Sequence, residues 1–375
     1  MKRFWKLFIL ALFFWVIPLS SVRAETIASD VHYKAQVIRV TESGTKTVNE
    51  MRLPYQIVQI VFLDPPMKGK ELTIHHGDIF SIDQSQFVEP GQKIVVVATV
   101  GPDGNPIYAI IDSYRLDTLI PFLILFVAAV ILLSRWRGVG SIIGMAVSLI
   151  VIAQYIVPQI ISGSDPLSTS IIGCFGIMIV TLYLAHGFSK QTTVALVSTF
   201  LTLVFTGALS ILFVRIMHLS GLGSDDAYSL KFGMTSITNY KGLFLSGILI
   251  GSLGVLDDVT TGLSASVFEL HKANKKLTFI ELIQAGLRIG QEHVSSLVNT
   301  LVLAYAGVSL PLFMTLIINP NGYPLWTILN SEMMVEEIVR TLSGSMGLIL
   351  AVPLTTFMAA SLLTSPWKNS KRIHS

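Results

Sequence analysis

Seven long apolar segments succeed one another between residues 119 and 363, and they limit the fold more than any other feature of the chain. They run Leu119–Ser134, Val139–Ile156, Thr169–Ala185, Thr193–Met217, Gly242–Leu256, Val294–Ile318 and Leu342–Leu363. A helix needs roughly 20 apolar residues to cross a bilayer core of about 30 Å, and each segment reaches or nearly reaches that length. In lipid the backbone must satisfy its own polar groups, so these segments are expected as helices. Charged residues make up 13% of the 375-residue chain, where a soluble domain carries about 25%. The expected class is therefore an α-helical multi-pass membrane protein. Its bundle spans 116–366, a tail covers 367–375, and the lipid bilayer is the first partner.

The formal net charge of +3 does not point to nucleic acid. The basic residues sit beside apolar segments, where membrane orientation requires them. The single cysteine, Cys174, lies inside an apolar stretch. It is expected as a small core residue.

The first 24 residues have the form of an export signal. Lys2, Arg3 and Lys6 precede an apolar core, Leu7–Ile17, that is too short to span. Pro18 breaks it, and small residues follow at Val22-Arg23-Ala24. An uncleaved anchor is the alternative. Residues 25–115 then change in kind. Runs rich in Val, Ile and aromatics (Val31–Val40, Tyr55–Phe62, Lys93–Val100, Ile107–Ile111) alternate with turn signals such as Asp64-Pro65-Pro66 and Glu89-Pro90-Gly91. That pattern predicts a small antiparallel β domain outside the cytoplasm, five-stranded and of the OB type. Neither an aromatic platform nor a basic groove for oligonucleotides is evident in it.

Loop charges give the orientation. With the β domain exported, Arg135, Arg137, His186, Lys190, Lys272, Lys275, Lys276, Arg288 and the tail residues Lys368, Lys371 and Arg372 fall on the cytoplasmic side. Only Arg215, Lys231, Lys241 and Arg340 fall on the other side, as the positive-inside rule expects.

The candidate site is ionisable. Asp257 and Asp258 close the fifth apolar segment, and Glu292 and His293 open the sixth. If the two segments are antiparallel helices, the four groups share a depth. Such groups usually face a bundle interior or an aqueous path. They could hold a hard divalent cation, relay protons, or mark a hydrated interface and cap helix ends. Glu292, Ser296, Asn299 and Leu303 share one helical face, with His293, Ser296 and Thr300 overlapping it. Asn299 is costly to bury, and Asp257 or Asp258 is its expected partner. Gly247, Gly251 and Gly254 read as a close-packing surface, or alternatively as an unwound ion site. Pro353 reads as a kink, with Thr355 and Thr356 available to the freed carbonyls. A second acidic group on the opposite side, Asp225, Asp226, Glu332, Glu336, Glu337 and Arg340, is expected as a solvated ladder or a cation-collecting vestibule.

The segments GSLGVLDDV (251–259), RIGQEHV (288–294) and VNTLVLAYAG (298–307), with Asn330-Ser331-Glu332, Glu336 to Arg340 and Val352 to Thr356, resemble the YibE/F-like membrane protein family. The resemblance implies a bacterial inner-membrane or plasma-membrane protein with an extracytoplasmic N-terminal domain. It brings no activity with it. Zinc-protease, nucleophile-elbow and P-loop patterns are missing, so an enzyme is not expected. No motif names a cofactor or a metal. The expectation is a transporter or permease for a small ion or solute. The alternative is a scaffold whose β domain binds a partner. Homo-oligomerisation stays open.

Overall fold

The computed structural model describes residues 31–48, 51–101, 104–233, 237–319 and 322–364. The signal segment 1–24 and the tail 367–375 lie outside the described residues. The chain divides into two compact units, and the division falls between Ala129 and Val130.

The first unit carries a five-stranded sheet. Its strands are β1 (Val31–Val48), β2 (Met51–Phe62), β3 (Glu71–His76), β4 (Lys93–Val100) and β5 (Pro106–Ser113). Every pairing is antiparallel, in the order β3-β2-β1-β4-β5. The outermost strands β3 and β5 also approach each other, so the sheet curls upon itself. Alternation builds its core: Val37, Val58, Ile60, Phe62, Ile94 and Val96 all turn inward. Each such side chain contributes about 1.5–3 kcal/mol by leaving water. Phe62 meets Tyr33 and Tyr108 edge to face, at 5.5 and 5.7 Å between ring centres. Four strands cover the runs expected from the sequence. β3 was not foreseen, because only Leu72 and Ile74 mark its inner face.

The helices are α1 (Leu116–Trp136), α2 (Gly138–Ile161), α3 (Pro166–His186), α4 (Lys190–Ile216), α5 (Asp225–Phe232), α6 (Tyr240–Ala273), α7 (Phe279–Val308), α8 (Leu310–Ile318), α9 (Leu325–Leu329) and α10 (Glu332–Thr364). Six of them are long and apolar enough to cross a membrane. α7 and α8, bent by 68° at their junction, make a seventh span if counted as one. Arg135, at φ 51°, kinks the chain one residue before the end of α1, ahead of α2. Caps fix several starts: Asp165 for α3, Ser189 for α4, Asn239 for α6, and a Thr278–Glu281 capping box for α7.

α6 is the centre of the bundle and packs on α3, α4, α7 and α10. It runs unbroken through Asp257 and Asp258 for 34 residues, about 51 Å of helix. Within lipid, apolar burial alone gives helices little reason to associate, so small residues and hydroxyls do more of the work. Ser198, Thr202, Thr206 and Ser210 form a fully buried stripe along α4. Gly347 of α10 lies directly against Thr206. Cys174 is buried and free, as expected.

The chain does not unwind at Pro353. α10 continues through it as one helix, and the Thr355 and Thr356 hydroxyls are buried without a hydrogen bond. Gly286 and Gly290 of α7 let Thr356 and Val352 approach closely, and this packing holds the turn in place. The bundle breaks instead at Ser309, where Pro311 enters the first turn of α8.

Candidate functional site

Two polar regions lie in the bundle. The first is built on the opening turns of α10. Glu332, Glu336 and Arg340 follow i, i+4, i+8 spacing and so share one face. That face meets the loop before α5. Glu332 accepts the Ser220 N–H, and also the Gly221 N–H at 3.1 Å. Glu336 accepts the Gly223 N–H at 3.1 Å. Successive loop amides thus hold two carboxylates. Gly221 is required there, because its φ is +83° and a Cβ would strike the Tyr240 carbonyl. Glu336 is only 5% exposed. The solvated ladder expected from the sequence is therefore replaced by a half-buried carboxylate pair.

Arg340 completes this region. Its Nε lies 3.4 Å from Glu337 Oε2, and its guanidinium stands 5.1 Å from the Phe244 ring centre. A Cβ on Gly247 would lie 3.1 Å from Arg340 Nη1, and one on Gly251 would lie 3.0 Å from the Tyr305 hydroxyl. Both glycines make room for polar side chains of neighbouring helices, and nothing comes near Gly254. No unwinding occurs at any of the three. A cavity of about 320 Å³ opens beside Arg340, lined by Ser224, Ser309, Thr315, Glu336, Glu337 and Arg340 among others. Asp225 joins the same lining, so carboxylates outnumber the one guanidinium.

The second region holds the residues singled out from the sequence. Contacts fix how α6 and α7 run past each other: Gly286 meets Val267, and Gly344 touches both Ser252 and Leu301. In that register Asp257 stands level with about Ser296, one turn from both Glu292 and Asn299. The groups therefore share a depth but not a face. Asp257 has a buried Oδ1 without a hydrogen-bond partner, whereas Glu292, His293 and Asn299 are exposed. Among the described residues, no hydrogen bond or ion pair joins either aspartate to Glu292, His293 or Asn299. The expected Asn299–aspartate pair is not formed, because Asn299 lies on the side of α7 turned away from α6. Among the described residues, no group of three or more His, Cys, Asp or Glu is placed to hold a metal ion.

Sequence reasoning missed three features. His186, at the end of α3, lies within electrostatic reach of Asp258; the sequence presented it only as an inner-loop base. The buried hydroxyls of α4 were legible as an i+4 repeat and were not used. Beside that repeat, the buried Thr199 bonds Thr260 of α6 at 2.6 Å. Tyr305 reaches the neighbourhood of Arg340 and Glu337 only through the antiparallel packing of α7.

A family model described as YibE/F-like protein matches residues 122–365. The chain belongs to this family. The match begins inside α1 and leaves out the β sheet, so the family likeness rests on the helices. Both polar regions fall within it. Neither the curated proteins nor the solved structures gave a match.

Proposed function

We propose that this YibE/F-like protein is a multi-pass transporter or permease for a small ion or solute. The observation that carries the reading is the nearly buried Glu336, held by a loop amide beside a cavity with Arg340 and Glu337. Ionisable groups inside a spanning bundle are costly and mark pathways. The surplus of carboxylates in the lining favours a cation. Asp257 supplies a second station further along α6, where a buried and unpartnered carboxylate oxygen is ready for a ligand or a proton.

In this reading the protein sits in a bacterial cell membrane. Its curled β sheet, OB-like in strand order, is extracytoplasmic, and its C-terminus is cytoplasmic. The cavity then opens on the outer side, and Asp257, Asp258 and His186 lie toward the inner side.

A second reading, a non-transporting scaffold that presents the β sheet to a partner, draws on the close packing of α4, α6 and α10. There Thr202, Thr206 and Ser210 bond carbonyls of their own helix. Flux through purified protein in liposomes, measured against a panel of ions, separates the two. Transport expects flux that Glu336→Gln and Asp257→Asn each abolish while membrane insertion is kept. Flux no greater than that of empty liposomes across the panel favours the scaffold.

A further inference from the structure

α7 turns its polar face away from the bundle. Leu282, Gly286, Gly290 and Leu301 are buried, whereas Arg288, Gln291, Glu292, Ser295 and Asn299 are exposed. Among the described residues, the side chains of Arg288, Glu292 and Asn299 make no hydrogen bond or ion pair. This face does not vary at random along the helix. Arg288, Glu292, Ser295, Asn299, Val302 and Ala306 recur at alternating steps of four and three residues. That spacing keeps the six on one strip of the helix, the geometry of a seam between two wound helices, here carrying polar groups where such seams are usually apolar.

The seam runs into the apolar span. Asn299 lies about 10 Å beyond Glu292 at 1.5 Å per residue. Lipid offers an amide no hydrogen-bond partner, so bare exposure to hydrocarbon is costly.

We propose that this face of α7 is the contact surface for a second copy of the chain, the two α7 helices lying parallel about a two-fold axis. Three features favour a copy over another partner. Both copies enter the membrane in the same orientation, so equal depths meet. An Asn side chain carries donor and acceptor together, so Asn299 pairs with its own equivalent across the axis. Arg288 and Glu292 have opposite charge one turn apart, so each copy's arginine reaches the other's glutamate. A single Asn in such a seam also fixes the register. The inference rests on the multi-pass reading and is independent of transport.

Oxidative cross-linking in native membranes tests it, with the full-length chain in a Cys174→Ser background. Single substitutions Ser295→Cys, Asn299→Cys and Leu301→Cys are compared. The expected result is disulfide dimer at positions 295 and 299, several-fold above that at 301, which faces the bundle. Equal, background cross-linking at all three positions overturns the proposal. So does ready labelling of 295 and 299 by a membrane-impermeant maleimide without cross-linking, which marks a water-lined path within one chain. Loss of the protein from alkali-washed membranes overturns the multi-pass reading and this surface with it, whereas cross-linking without ion flux leaves the surface standing and removes transport.

Discussion

The two polar regions of the bundle differ in how their groups are answered. At the start of α10 almost every charge has a counterpart: loop amides for Glu332 and Glu336, and Glu337 and the Phe244 face for Arg340. Where α6 and α7 run side by side, Asp257 has a buried oxygen without a partner, and Glu292 and Asn299 face outward with none. Partnered charge in a low-dielectric interior is rigid, and its removal is destabilising. Unpartnered polar groups cost stability and persist where a ligand, a proton or a neighbouring chain supplies what is missing. The first region is thus preorganised, and the second awaits something.

The largest effect that can break this contrast is at Glu332. Glu332→Ala leaves the Ser220 and Gly221 amides without an acceptor, and each unsatisfied group costs about 1–3 kcal/mol. A fall in the thermal midpoint of the detergent-solubilised protein is expected, while Glu292→Ala in the same assay leaves it near wild type. Equal midpoints for the two variants would dissolve the distinction. Gly221→Ala follows in size. It forces a Cβ into a left-handed position against the Tyr240 carbonyl, at about 1–3 kcal/mol, and should show reduced folded yield.

How much of this was legible in the sequence follows from the range of each signal. Apolar length is a local property, and it placed six of the long helices; the expected segment Val294–Ile318 is instead divided at Ser309 between α7 and α8. Period-two alternation is also local, and it located β1, β2, β4 and β5. β3 was weaker because its inner face carries only two apolar residues. The depth of Asp257 relative to Glu292 and Asn299 came close by counting residues along two antiparallel helices. Their faces did not. A helical stripe shows which residues point together, but not toward which neighbour, and α7 turns that stripe away from α6. Glu336 looked solvated because its partners, the amides of Gly223 and the loop before α5, lie more than a hundred residues away. The glycines that pack against Val352 and Thr356, on either side of Pro353, belong to another helix and cannot be read from α10 alone.

A change of opposite sign sharpens the comparison. Asp257→Asn keeps the shape of the side chain and removes the charge from a half-buried carboxylate whose Oδ1 is buried and unpartnered. Burying a polar group without a hydrogen bond costs about 1–3 kcal/mol by mutational measures, and a charge costs more. The variant should be at least as stable as wild type by thermal unfolding, while losing ion flux. Destabilisation would mean that Asp257 already has a partner and belongs with the α10 group.

The smallest effect lies in the β sheet, at a group that is buried with a single partner. His76 is 6% exposed, and its Nε2 stands 3.2 Å from the Gln86 carbonyl oxygen. Burial pushes its pKa down from the ordinary value of 6.5, and the Gln86 carbonyl opposes this less strongly. The folded state therefore binds fewer protons at His76 than the unfolded chain does. Stability rises with pH wherever the unfolded state holds more protons. The contribution of His76 is thus complete above about pH 6.5 and is lost as the pH falls from there toward its lowered folded value. The segment 25–115, made on its own, should give a β-type circular dichroism spectrum and a midpoint that declines through that window. His76→Gln retains an N–H for the Gln86 carbonyl and does not titrate, so its midpoint should decline less. An identical decline in the variant would assign the pH dependence to other groups and would leave His76 a neutral core residue.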